Sequence, residues 1–275
     1  MDSISVKNVN VPALGFGTWA LSGSAAYQAT RMALDLGYRH LDTAQIYGNE
    51  AEIGRAIRDS GIKRGDIFLT TKIAPSNLRA EAVRRSHEES LKRLGLDQVD
   101  LLLVHWPNAA IPLGETLGAL AALRHAGKTR AIGVSNFTVA LLREAIERHH
   151  ADLICNQVEY HPFLSQRASR ETMARCGLML TAYAPVARGR VFRDPTLAAI
   201  GKKYDKSAGQ VALRWLLDQE KVCAIPKAAR REHAAANIDI FDFTLAPEDR
   251  AAIDALAEGE RLVEWGGYSP DWDAG

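Results

Sequence analysis

A series of short apolar runs in this chain end on residues that can hold, polarise or protonate a small molecule: Asp42, Lys72, His105, the pair Ser135 and Asn136, Gln157, Tyr183 and Lys227. Taken singly, each has an ordinary structural explanation. An Asp after a strand is often a helix cap, a Lys is usually solvated, and a His often only satisfies a core hydrogen bond. Their joint placement, one after another at the ends of successive runs, is far more specific than any member. It predicts one polar cluster at the carboxyl ends of neighbouring strands, where barrel enzymes carry their chemistry.

The elements that would position this cluster follow from periodicity. Apolar runs at 13–17, 39–42, 67–72, 99–105, 131–135, 153–159, 178–183 and 222–226 read as strands. Several lack alternation, as parallel strands covered on both faces do. Helical patterns lie between them at 25–36, 50–60, 79–94, 114–126, 139–148, 166–176 and 207–218, with a final helix at 247–257. Strands alternating with helices imply an α/β fold with a parallel sheet and right-handed crossovers. At 275 residues the size suits one (β/α)8 TIM barrel spanning the whole chain as a single domain; a doubly wound open sheet fits the same alternation. The residues before Leu14 are expected to form a short hairpin across the lower end of the barrel. Those after about Arg261 lack periodicity and are expected to form a C-terminal tail.

Composition excludes several classes. A formal net charge of +1 gives no electrostatic case for nucleic acid or a membrane surface. No apolar run approaches the roughly 20 residues of a membrane span, and the opening residues lack a secretory layout. Three widely spaced cysteines, Cys155, Cys176 and Cys223, argue against a disulfide framework and fit a reduced, cytoplasmic protein. No cluster has metal-ligand spacing, so no metal is expected.

GFGTWA at 15–20 fits a dinucleotide-binding fingerprint, and Asp42 lies at the distance of a ribose-binding acid. Its context fails, because residues 21–24 delay the helix that should open within the glycines. The glycines are instead expected to make a tight turn at the first barrel strand.

Longer stretches carry a family resemblance: LGFGTW at 14–19, LDTAQIYGNE at 41–50, TTK at 70–72, HWP at 105–107, GVSNF at 133–137, NQVEY at 156–160, AYAP at 182–185 and IPK at 225–227. Over essentially its whole length the chain resembles the aldo-keto reductases. The end of the chain, RLVE at 261–264 and SPDW at 269–272, is similar to bacterial 2,5-diketo-gluconate and methylglyoxal reductases. The resemblance implies NADPH-dependent reduction of aldehydes and ketones, with Asp42, Tyr47, Lys72 and His105 as the catalytic tetrad. The chemistry of the residue types agrees. Carbonyl reduction builds negative charge on oxygen, which needs a proton donor and hydrogen bonds aimed at it. A phenol retains its proton at neutral pH and can give it up; Lys72 is expected to make Tyr47 more acidic, and Asp42 to hold Lys72 in place. His105 would orient the carbonyl.

No side chain supplies hydride, so a cofactor must. The resemblance places Gly17, Thr18, Trp19 and Asp42 beside it, Ser135, Asn136 and Gln157 on the nicotinamide carboxamide, and Tyr183 against the ring. Lys227, Arg230, Arg231, His233 and Asn237 would serve its phosphate end. Departures lie there: Ala228 stands where a Ser or Thr usually follows the Lys, His233 where many members have Arg, and Ala236 where a Glu is expected. A histidine can lose its charge near neutrality and an arginine cannot. A modest preference for NADPH, with NADH also used, is the expectation. The substrate is expected between Trp19, Tyr47, His105 and Trp106, in an open, permissive pocket, because the connections at 107–114 and 185–195 are short. Arg188 and Arg190 in the second connection are candidates for attracting acidic sugars. The competing reading is a cofactor-binding redox sensor, similar to potassium-channel β subunits; a barrel acting on sugar phosphates is weaker. The partner expected is a small carbonyl compound, with the chain acting as a monomer.

Overall fold

The computed structural model describes residues 2–272, and in it a two-stranded hairpin leads into an eight-stranded parallel sheet. In the hairpin, β1 (Ser3–Val6) pairs antiparallel with β2 (Val9–Pro12). Lys7 and Asn8 turn between them with φ of 44° and 66°, the left-handed pair that matches the twist of a two-residue hairpin loop.

The parallel strands are β3 (Phe16–Gly17), β4 (His40–Asp42), β5 (Phe68–Ile73), β6 (Val99–Val104), β7 (Thr129–Ser135), β8 (Leu153–Glu159), β9 (Met179–Tyr183) and β10 (Val222–Ala224), each bonded to the next. The sheet closes on itself where Leu14 bridges Ala224. There the Gly15 amide donates to the Ala224 carbonyl at 2.8 Å, and the Ala224 amide to that of Ala13 at 2.9 Å. Closure decides for the barrel over the doubly wound sheet. It also corrects the reading of the glycines. Gly17 belongs to β3 and Gly15 directly precedes it. A Cβ on Gly15 would lie 2.8 Å from the His40 ring, and one on Gly17 would lie 2.7 Å from the Ile225 carbonyl oxygen. Both are small so that first and last strands can meet; the turn comes afterwards, where Ala20 has φ 58°.

Closure also splits the core. Along β6, Leu101 and Leu103 join an inner cluster with Ala131, Ile154, Cys155 and Met179, while Leu102 and Val104 belong to the larger cluster under the helices. Val6 and Val11 of the hairpin pack into the inner cluster and plug that end of the barrel, as expected. Apolar on both faces, the strands need no alternation.

The surrounding helices are α1 (Gly23–Asp35), α2 (Glu50–Asp59), α3 (Ala80–Leu94), α4 (Leu113–His125), α5 (Val139–Arg143), α6 (Arg167–Arg175), α7 (Pro195–Tyr204), α8 (Ala208–Leu217), α9 (Arg231–Ile238) and α10 (Pro247–Asp254). The expected helix at 139–148 is α5 running on into a π-turn over Glu144–Arg148. Helices α7 and α9 were not expected. The signal for α7 was present: the Asp194 carboxylate accepts the Leu197 amide at 2.9 Å, with Pro195 in the first turn. No helix among the described residues is long and apolar enough to cross a membrane, and no group of His, Cys, Asp and Glu among them could hold a metal ion.

Candidate active site

The strand-end residues converge as their register requires. Asp42 is the last residue of β4, and Lys72 lies one residue before the end of β5, its neighbour. Lys72 is fully buried; its ammonium donates to Asp42 Oδ1 at 2.5 Å and to the Thr43 carbonyl at 2.9 Å. Tyr47 Oη lies 3.4 Å from the same Nζ, a long contact that places the phenol without a strong bond. Gln157 Nε2 reaches across from β8 to Asp42 Oδ2 at 2.8 Å.

Tyr47 itself rides on a 3-10 turn, Gln45–Tyr47, and buried polar bonds fix that turn. Asn49 accepts from Thr43 Oγ1 at 2.7 Å and donates to the carbonyls of Thr18 and Leu21; Gln45 Oε1 accepts the Ala74 amide. His105 follows β6, and its ring meets that of Tyr47 edge-on with centroids 5.6 Å apart. Asn136, at φ 62°, donates to the His105 carbonyl at 2.9 Å and accepts from Tyr183 Oη at 2.8 Å. Asn tolerates this left-handed backbone better than most residues.

Electrostatics correct one expectation. Burial and the Asp42 carboxylate push the Tyr47 phenol well above its ordinary range. The net shift is upward, so burial and Asp42 outweigh the acidifying field expected from Lys72. Burial also lowers Lys72, although Asp42 opposes the shift. His105 is held neutral by burial and by the nearby Lys72 charge. The site therefore offers a protonated phenol and a neutral imidazole, two uncharged hydrogen-bond donors backed by a buried ion pair.

Above them opens a cavity of about 550 Å³. Gly17, Thr18, Trp19, Asp42, Tyr47, His105, Trp106, Ser135, Asn136, Gln157, Tyr183 and Lys227 all line it. Its lining combines the polar groups of Ser135, Asn136 and Gln157 with the rings of Trp19, Tyr47, Trp106 and Tyr183, and Lys227 is an exposed cation in it. This donor set fits a flat amide-bearing ring with an anionic tail.

Residues 13–258 match the pattern of the aldo/keto reductase family. The chain belongs to that family. It is 40% identical over 268 residues to the methylglyoxal reductase DkgB of Salmonella typhi, covering 96% of this chain and 100% of the relative. It is 42% identical to an aldo-keto reductase of Mycolicibacterium paratuberculosis, covering 94% of this chain and 93% of the other. A crystal structure provisionally assigned as a 2,5-diketo-D-gluconic acid reductase B superposes with a TM-score of 0.97 at 48% identity, covering 100% of this chain and 98% of that one. A Bombyx mori aldo-keto reductase in complex with NADP superposes at 0.89 with 32% identity, covering 96% and 95%. This chain is thus a (β/α)8-barrel oxidoreductase.

Other features of this aldo/keto reductase depart from expectation. Arg230, Arg231, His233 and Asn237 do not line the cavity; they stand on the opening and body of α9, beyond Lys227. Arg230 Nη2 lies 2.8 Å from His233 Nε2, so the imidazole accepts the guanidinium's hydrogen bond. Arg188 lines the cavity and lies over the Trp19 ring, 5.3 Å from its centroid. Arg190 turns away, pairing with Glu258 and Glu260 and stacking on Phe163, so it is not free to attract substrate. Sequence reasoning missed the far wall. Phe192, Val263 and Trp265 line the cavity, and Trp265 packs edge-on against Trp106 at 6.1 Å and His105 at 6.3 Å. The pocket is therefore less open than its short loops implied, because the aperiodic tail crosses it.

Proposed function

We propose that this enzyme reduces small aldehydes and ketones, including 2-oxoaldehydes and keto sugars or diketo acids, with Tyr47 as the proton donor and NADPH as the preferred cofactor. The observation that carries the reading is the Tyr47 phenol, protonated and set against the buried Lys72–Asp42 pair, at the floor of an aromatic-walled cavity. When bound, the nicotinamide supplies hydride to the carbonyl carbon. Ser135, Asn136 and Gln157 would hold its carboxamide, Tyr183 its ring face, and Lys227 its phosphates.

The remaining steps belong to the chain. His105, neutral, donates a hydrogen bond to the carbonyl oxygen and orients it. Tyr47 delivers its proton to that oxygen as charge grows there, and Lys72 stabilises the phenolate left behind. A phenol with a raised pKa gives up its proton only to a strong base, which the forming alkoxide is. Trp19, Trp106 and Trp265 bind by apolar contact and demand no single hydrogen-bonding pattern, which suits small carbonyls of varied shape. The names of the methylglyoxal and diketogluconate reductase relatives support the same substrate class. At the phosphate end, Lys227, Arg230, Arg231 and Asn237 favour NADPH, while His233, already engaged by Arg230, makes the preference modest and leaves NADH usable.

Cofactor oxidation tests this over methylglyoxal, an aromatic aldehyde, a keto sugar and a diketo acid, with NADPH and NADH in parallel. Multiple turnovers with the aldehydes, faster with NADPH, are expected. Tight cofactor binding without turnover of any carbonyl would instead favour a redox-sensing barrel.

A further inference from the structure

Glu159 takes no part in the mechanism above, yet it is a fully buried carboxylate at the mouth of the barrel. It is the last residue of β8, two positions beyond Gln157 and so on the same face of the strand. Three N–H groups converge on it. The Leu262 amide donates to Oε1 at 2.8 Å, the Val263 amide to Oε2 at 3.0 Å, and His161 Nε2 to Oε1 at 3.0 Å. The Arg261 guanidinium stands 4.0 Å from Oε2. A buried carboxylate is costly unless it is bonded in this way, and charged acceptors make the stronger hydrogen bonds.

The two backbone donors belong to the tail, whose described residues, up to 272, form no regular secondary structure after α10. Directly beyond them, Val263, Glu264 and Trp265 line the active-site cavity, with Trp265 against His105 and Trp106. Further along, Trp265 and Trp272 both pack edge-on against Trp106, and the Arg261 guanidinium lies over the Trp272 ring. Additional ties hold the start of the tail. The amides of Glu258 and Glu260 donate to the Phe163 carbonyl, and Arg190 pairs with both side chains. Those ion pairs are partly exposed, and exposed pairs contribute little.

We propose that Glu159 is a positioning residue for substrate selectivity: it pins residues 262–263 across the barrel mouth and thereby fixes Trp265 as the far wall of the substrate pocket. The proposal rests on the reading of that cavity as the carbonyl site. A large aromatic substrate needs the wall; a three-carbon oxoaldehyde at the floor does not.

The test is Glu159→Gln in the full chain. Its amide keeps one acceptor but turns an NH2 group toward a backbone N–H. Amide exchange at 262 and 263 should quicken by about tenfold or more, with barrel-strand amides unchanged. For a bulky aromatic aldehyde, kcat/KM should fall by roughly ten- to a hundredfold, mostly through KM, the range expected for loss of a charge-assisted hydrogen bond. Methylglyoxal should change by no more than about threefold, since it makes none of the lost contacts. Glu159→Gln with Trp265→Ala should be no worse than Trp265→Ala alone, as for two residues acting through one wall. Leu262→Pro deletes a donor while leaving the carboxylate, and should reproduce the selectivity change even if Glu159→Gln does not fold. Unchanged exchange at 262 and 263, equal losses on both substrates, or additive effects in the double variant would each overturn the proposal. If the unmodified enzyme reduces no carbonyl, the functional reading fails on its own, and the exchange result still decides whether Glu159 holds the tail.

Discussion

At the scale of single residues, the site depends on two buried charges that compensate each other. Tyr47→Phe removes the proposed proton donor and little else, so turnover should fall by roughly 10²–10⁴-fold with cofactor affinity kept. Single-turnover kinetics with a fluorescence titration of NADPH checks both halves; near-normal turnover would assign the proton to another group. Lys72→Met does more. It leaves Asp42, almost wholly buried, with only the Gln157 amide as a side-chain partner, and breaking such a pair costs about 3–5 kcal/mol. Urea denaturation should show that loss. Adding Asp42→Asn should recover much of the stability and none of the activity. A Lys72→Met protein as stable as the parent would mean that the pair is not the support described here.

At the scale of elements, the Tyr47 turn is only as well placed as α2, which follows it directly. Helix α2 is tied to the barrel through Glu50, whose buried carboxylate accepts from Thr71 Oγ1 at 2.6 Å and pairs with Arg93 of α3 at 2.7 Å. It packs on α3 so closely that a Cβ at Gly54 would lie 2.0 Å from the Leu94 carbonyl oxygen. Gly54→Ala therefore forces the helices apart even though alanine is the better helix former. The expected loss is about 1–3 kcal/mol of stability, together with lower kcat as Glu50 and the turn shift. Thermal melts and kinetics on one preparation test this, and an unchanged or raised melting temperature would contradict the packing. Residues 50–60 read as a helix from periodicity, but why position 54 is glycine lies in a neighbour forty residues on.

For the whole molecule, buried histidines set the response to acid. His40, His87 and His105 are each pulled below the ordinary value of 6.5, in every case mainly by burial. The unfolded chain takes up protons near that value while the folded chain does not. Their contribution is therefore complete above about pH 6.5 and is lost as pH falls below it, toward the lower folded values. Lowered carboxylates such as Asp152 and Asp249 act in another window: their stabilisation is present above the ordinary 3.8 and is lost only as pH falls through their lower folded values. Between pH 7 and pH 5 the histidines dominate. Stability should fall by up to about 1.4 kcal/mol per pH unit for each fully depressed histidine. His87→Gln should reduce the slope, since His87 lies on α3 away from the site and a Gln amide can still donate to the Lys128 carbonyl. Urea midpoints at pH 7, 6 and 5 decide it; a flat profile would show that these rings are not held neutral.

Local sequence determined a good deal of this protein. Apolar runs placed the eight strands, and helical spacing most of the helices. The residues closing successive runs, Asp42, Lys72, His105, Ser135, Asn136, Gln157 and Tyr183, marked what would meet at one end of a parallel barrel, because strand register carries that information along the chain. Tertiary structure decided the rest. Barrel closure depends on Leu14 meeting Ala224, and the direction of the Tyr47 shift on a sum of burial and charge that no spacing reveals. The aperiodic tail becomes a pocket wall only because its amides find Glu159, a carboxylate 103 residues away from Leu262 in the chain. Periodicity and capping act between near neighbours, whereas desolvation and long-range hydrogen bonds act through space, and only the closed fold brings those partners together.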